Sequence, residues 1–156
     1  FTDTGMQVFM DETGENVDVF RALSNVKIID NHGYYNRNAS GSNAADAMII
    51  VPCTMGTVGR IASGSTSDLI SRIAEVQLKE RRRLVIVPRE TPYSLIHLRN
   101  LLTLTEAGAI VAPASPSFYS NPSSLDDLTD QFADRIIAIA GISDINPSNK
   151  WMNVWH

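Results

Sequence analysis

Four apolar residues in unbroken succession, Leu84-Val85-Ile86-Val87, stand between the charged run Lys79-Glu80-Arg81-Arg82-Arg83 and the turn Pro88-Arg89-Glu90-Thr91-Pro92. A strand with one wet face alternates apolar with polar residues. A run without alternation suits a strand covered on both faces, as central strands of parallel sheets are. Parallel strands need crossover connections, mostly helical, and open sheets of this kind take their ligands in the loops beyond the strand C-termini. Arg89 and Glu90 occupy such a loop.

Two further apolar runs repeat the arrangement. Ala47-Met48-Ile49-Ile50-Val51-Pro52 predicts a strand that Pro52 ends, and Ala109-Ile110-Val111-Ala112 a strand ending at Pro113. Helical patterns separate them. One helix is expected over about 57–62, and a second from hydroxyl caps at Ser65 to Ser67 as far as about Arg81. On the second, Leu69, Ile73 and Val76 form an apolar stripe with Ile70, Ala74 and Leu78 beside it. Arg72 and Lys79 share a face, with Glu75 spaced to bridge both. Thr91-Pro92 reads as the N-cap and first residue of a helix with Leu95, Leu98, Leu102 and Thr105 on its face, stopped by Gly108. Ser124 and Asp127 form a capping box for a long helix whose apolar face is Leu125, Leu128, Phe132, Ile136 and Ile139.

Three strand–loop–helix units without hairpin signals predict an α/β fold with a doubly wound parallel sheet. Right-handed crossovers then set the loops after Pro52, Pro88 and Pro113 along one sheet edge. Ahead of these units the pattern is weaker. Residues 1–10 fit a strand or a helix, 18–23 a short helix, 26–29 a short strand, and 30–42 a loop. The tail from Asp144 is polar until Trp151, Met152 and Trp155, which predicts packing against something such as a neighbouring subunit. The domain is expected over 1–142, with 143–156 as a tail.

The 156 residues amount to one domain, and 13 basic against 17 acidic side chains argue against a nucleic-acid binder working through bulk charge. One cysteine, Cys53, excludes an intrachain disulfide framework and a Cys-based zinc site. His32, His97 and His156 are too scattered for a metal motif, and no apolar run approaches bilayer-spanning length. No Walker or Gly-rich dinucleotide fingerprint is present.

The residues that carry chemistry have two readings each. Arg89 can hold a phosphate or carboxylate bidentately while Glu90 accepts a proton, or the two form an ion pair capping the next helix. Lys79 and Arg72 extend an anion pocket, or lie on a solvated helix face. Tyr119, after Phe118 in a Pro-bounded loop, can act on or pack against a flat ligand. Cys53 has no base at a recognisable spacing and reads better as a small buried residue lining a pocket than as a nucleophile. Ser40-Gly41-Ser42 can bind a phosphate through hydroxyls and amides, or be a plain loop.

Several of these segments together resemble the flavin prenyltransferases of the UbiX/Pad1 type. They are Ser40-Gly41-Ser42, the stretch MIIVPCTMGT from Met48 to Thr57, Arg60 to Gly64, LKERR from Leu78 to Arg82, RETP from Arg89 to Pro92, His97 to Asn100, and PSFYSNP from Pro116 to Pro122. The likeness spans about residues 6 to 142. It implies a Rossmann-like, flavodoxin-like sheet and an enzyme that transfers a dimethylallyl group from dimethylallyl monophosphate to N5 and C6 of reduced FMN. The product, prenylated FMN, then serves a UbiD-type decarboxylase.

By motif, the resemblance implies that Lys79, Arg89 and Tyr119 hold the prenyl phosphate with Arg72 beside them, and that Glu90 assists phosphate departure and proton movement. Pro52, Cys53, Thr54, Met55 and Thr57 would line the flavin, and Ser40 or Ser42 would touch its phosphate. No metal is required. The family also implies a homododecamer with flavin sites at subunit contacts, and a cytoplasmic location. The family's opening strand and Gly/Ser-rich phosphate loop have no counterpart before Met6, so the first strand is expected to be missing from this sequence. An oligomeric FMN-binding or carrier protein without chemistry is the alternative reading, and a flavin-dependent cysteine decarboxylase is disfavoured by PCTMGT.

Overall fold

The computed structural model describes residues 1–142. The tail expected to pack through Trp151, Met152 and Trp155 lies outside them. In chain order the regular elements are α1 (Asp3–Thr13), β1 (Ala47–Cys53), α2 (Met55–Ala62), α3 (Leu69–Lys79), β2 (Arg83–Pro88), α4 (Leu95–Glu106), β3 (Ile110–Val111) and α5 (Leu125–Ile139). Short 3₁₀ turns at Val17–Ala22, Arg37–Ala39 and Gly41–Asn43 connect α1 to β1.

The three strands form one parallel sheet in the order β1-β2-β3. Ile49 pairs with Val85 and Ile50 with Ile86; Val85 and Ile86 pair in turn with Ile110 and Val111. The central place of β2 explains its unbroken apolar run, because successive side chains point to opposite faces and both faces are covered. Leu84 and Ile86 enter one core with Met55, Val58, Ile61, Ala74, Leu101 and Leu104, from α2, α3 and α4. Val85 and Val87 enter a second with Ile136 and Ala140 from α5 and its end. The sheet is doubly wound, as expected.

The opening segment takes the helical of its two readings, as α1 over Asp3–Thr13 capped by Thr2. Several other local expectations are corrected. Val26 to Ile29 form no strand: the β-formers are there, but no neighbouring strand offers a ladder, and they line a groove with Phe20, Leu69 and Ile73 instead. Pro52 does not end β1, which runs through Cys53. The cap of α3 is Asp68 rather than Ser65 to Ser67, and the helix ends at Lys79, with Arg81 turned to φ +53°.

Helix α4 starts at Ser94 rather than Thr91-Pro92, through a reciprocal cap in which the His97 ring accepts from the Ser94 amide. Its buried residues are Leu101 and Leu104. The expected face of Leu95, Leu98 and Leu102 is 61%, 51% and 58% exposed. On α5, Leu128 and Ile136 are buried, while Leu125 points outward.

Candidate functional site

The candidate residues fall at the two ends of the sheet. At the C-terminal end, β1 leads into Thr54, the N-cap of α2, whose hydroxyl accepts from the Thr57 amide at 3.3 Å. The Thr57 hydroxyl accepts from Arg60 at 2.9 Å, and Arg60 reaches Asp68 at 3.3 Å. Along this turn Pro52 and Thr54 are exposed while Cys53, Met55 and Thr57 are buried. Cys53 and Met55 belong to the core beneath the turn. Burial, outweighing the Arg60 charge and the Val58 amide that both pull the other way, pushes the Cys53 thiol up to about 12, which makes it a poor nucleophile.

The loop after β2 carries Arg89, exposed, and Glu90, half-buried. Of the two readings of Arg89 and Glu90, the ion pair is not formed among the described residues: the Glu90 carboxylate accepts from the Thr91 amide at 3.1 Å instead. The guanidinium is thus available to an incoming anion. The loop after β3 carries Tyr119, which is 58% exposed, beside a 590 Å³ groove that includes Ser117, Phe132 and Ile136. A buried hydrogen bond from the Ser120 hydroxyl to the Gln131 amide oxygen fastens this loop to α5, and Gln131 donates in turn to Asp127 at 2.8 Å. Sequence reasoning missed Gln131, since nothing local marks a helix glutamine as the anchor of a loop eleven residues away.

At the N-terminal end, Ser40, Gly41 and Ser42 lie against the last turns of α3. The Ser40 and Ser42 hydroxyls are 3.1 Å apart, and Arg72 donates through Nε to the Ala39 carbonyl at 3.3 Å. A Cβ placed on Gly41 would come within 2.9 Å of Lys79 Nζ, so the ammonium sits directly over this turn. Glu75 does not bridge Arg72 and Lys79. It pairs with Arg72 at 2.6 Å, whereas Lys79 pairs with Glu80.

One expectation therefore changes. The six residues of β2 separate Lys79 from Arg89, about 20 Å at roughly 3.3 Å per residue. Within one chain Lys79, Arg89 and Tyr119 do not converge on a single phosphate. Within one chain β1 likewise lies between Thr54 and the turn that carries Ser40 and Ser42.

Comparison with known proteins places this geometry. A family model described as Flavoprotein matches residues 1–137. The chain is 42% identical over 148 residues to the flavin prenyltransferase UbiX of Thermoplasma acidophilum, covering 92% of this chain and 79% of that protein. It belongs to the UbiX family of flavin prenyltransferases.

The UbiX of Pseudomonas aeruginosa is 46% identical over 121 residues, which span 78% of this chain but 58% of that relative's length. Among solved structures, a UbiX protein in complex with FMN and dimethylallyl pyrophosphate superposes with a TM-score of 0.85 at 44% identity, over 90% of this chain and 74% of its own. A dodecameric FMN-dependent UbiX-like decarboxylase from Escherichia coli O157:H7 superposes with a TM-score of 0.83 at 34% identity, over 90% and 75% of the two chains. The UbiX-type fold accounts for helices on both sheet faces and for loops of candidate residues at the strand C-termini. Among the described residues no three of His, Cys, Asp and Glu gather as metal ligands, and no helix is long and apolar enough to cross a membrane.

Proposed function

We propose that the protein transfers a dimethylallyl group from dimethylallyl monophosphate to reduced FMN, bonding at N5 and C6, and so makes prenylated FMN for a UbiD-type decarboxylase. The observation that carries this reading is the likeness, at 44% identity over 90% of the chain, to a UbiX solved with FMN and dimethylallyl pyrophosphate. The reduced flavin supplies the electron-rich ring that is alkylated.

The separation of the two sheet ends shapes the mechanism. A prenyl phosphate is much shorter than β2, so the site is completed by a second copy, consistent with the dodecameric neighbour. One copy brings Lys79, Arg72 and the Ser40 and Ser42 hydroxyls; the other brings Arg89, Glu90 and Tyr119. Fixed cations and hydroxyl donors meet the charge that develops on the departing phosphate, which is otherwise a poor leaving group. Glu90 accepts and returns the proton that moves as the ring closes. Exposed Pro52 and Thr54 offer the flavin an apolar surface and a hydroxyl beside the α2 N-terminus, where helix amides favour an anion or a carbonyl oxygen. Cys53, Met55 and Thr57 support that surface from below.

The test is the mass of the flavin released after anaerobic incubation with reduced FMN and dimethylallyl monophosphate. A flavin heavier by one five-carbon prenyl unit is expected, lost in Glu90→Gln. Bound flavin of unchanged mass would support the carrier reading instead.

A further inference from the structure

Both cations assigned to the prenyl phosphate at the N-terminal end of the sheet already have carboxylate partners on or beside their own helix. Arg72 is held by Glu75 and Lys79 by Glu80. The second pair stands over the Ser40-Gly41-Ser42 turn: a Cβ on Gly41 would lie within 2.8 Å of the Glu80 carboxyl carbon as well as 2.9 Å of Lys79 Nζ. A side chain at 41 would make the pair shift from this position.

Glu80 is also in a place where a carboxylate does nothing for the helix. It is the C-cap of α3, and the partial negative charge at a helix C-terminus favours cations there. Its one ionic partner among the described residues is Lys79. The side chains are 56% exposed for Lys79 and 35% for Glu80, so the pair is open to solvent and can exchange partners.

We propose that Glu80 is the resting counter-ion of Lys79: it yields the ammonium to the substrate phosphate and takes it back as inorganic phosphate leaves. The proposal rests on the assignment of Lys79 to the prenyl phosphate. A carboxylate and a phosphate dianion compete for one unit of positive charge, and they repel each other across it. Glu80 therefore loosens the hold on phosphate and favours product release. It keeps this half of the empty site neutral, since Arg72 and Lys79 each then have their own carboxylate.

Inorganic phosphate titrated calorimetrically into the FMN-loaded protein tests this. Glu80→Gln is expected to bind phosphate roughly three- to fivefold more tightly, the weight of one solvent-open ion pair. Phosphate should also become a stronger product inhibitor of turnover. Damage to the fold would loosen binding, so tightening separates a counter-ion from a merely structural residue. Should Glu80→Gln fail to fold, Glu80→Ala makes the same charge change. Lys79→Met is expected to lose phosphate binding, and in its background Glu80→Gln should add nothing. Weaker or unchanged binding in Glu80→Gln, alongside loss in Lys79→Met, would overturn the counter-ion role alone. Unchanged binding in Lys79→Met would overturn the assignment of Lys79 together with it.

Discussion

Lys79 and Arg89 bracket β2, the ammonium before its first residue and the guanidinium after its last. A single chain cannot close both on one phosphate, but two copies can, and that makes the arrangement testable by mixing. Lys79→Met and Arg89→Met should each lower kcat/KM about a hundredfold, the usual scale for removing one group that meets developing charge. Co-assembled, they should recover activity. A site drawing Lys79 from one subunit and Arg89 from another is intact in about one case in four under random assortment. Activity measured on the co-expressed variants, against each alone, checks it. No recovery would place both residues in the same chain's site or outside the site altogether.

Asp68 is the hinge between α2 and α3. Its Oδ1 accepts from the Ser71 amide at 2.7 Å, and Oδ2 lies 3.3 Å from Arg60. Burial pushes its carboxyl upward, but the Ser71 hydroxyl and amide, Arg60 and Asn31 outweigh that and hold it below its ordinary value. A carboxyl depressed in the folded state contributes stability that is complete above its unfolded pKa and is lost as pH falls through the folded one. Asp68→Ala should therefore cost about 1–2 kcal/mol at neutral pH. In urea unfolding, its difference from the wild type should shrink as pH falls below about 4.

What was legible in the sequence is what depends on near neighbours. The apolar run of β2 and the stripe of α3 follow from periodicity alone, and they define the sheet and its two covered faces. Val26 to Ile29 failed because a strand is a property of a pair, and no neighbouring strand offers a ladder to these β-formers. The start of α4 failed because the cap used a histidine ring where the familiar pattern has Glu or Gln. The cap of α3 is completed by Asn31, whose side chain accepts from the Ile70 amide from 39 residues away. At the site, motifs supplied the residue types, but β1 and β2 decided which of them could meet. Spacing along the chain does not reveal which sheet end a side chain occupies until the strands are in place.

Cys53 separates the two readings of a lone cysteine. With its side chain in the core and its thiol pushed up to about 12, it should remain protonated across the working pH range. Iodoacetamide at pH 8 should leave the folded protein unmodified and alkylate it stoichiometrically once unfolded, as read by intact mass. Rapid labelling of the folded protein would restore the nucleophile reading. Cys53→Ser should destabilise by about 1–3 kcal/mol, because a hydroxyl costs more to bury in an apolar core than a thiol and the Thr54 carbonyl, 3.7 Å from Sγ, is distant for an O–H donor.

Leu95, Leu98 and Leu102 recur along α4 on one helical face, and all three are more than half exposed in the single chain. Ile96 flanks them at 68% exposure. A soluble monomer rarely shows so continuous an apolar strip, whereas a subunit contact of an obligate oligomer needs one. The fold itself draws on the other side of the helix, through Leu101 and Leu104. The double variant Leu98→Glu/Leu102→Glu should therefore leave the far-ultraviolet dichroism of the chain intact while reducing its assembly to smaller species in light scattering. Prenyl transfer should fall with the assembly, because Lys79 and Arg89 then lose the second copy that brings them together. A dispersed variant that kept full activity would show that one chain suffices.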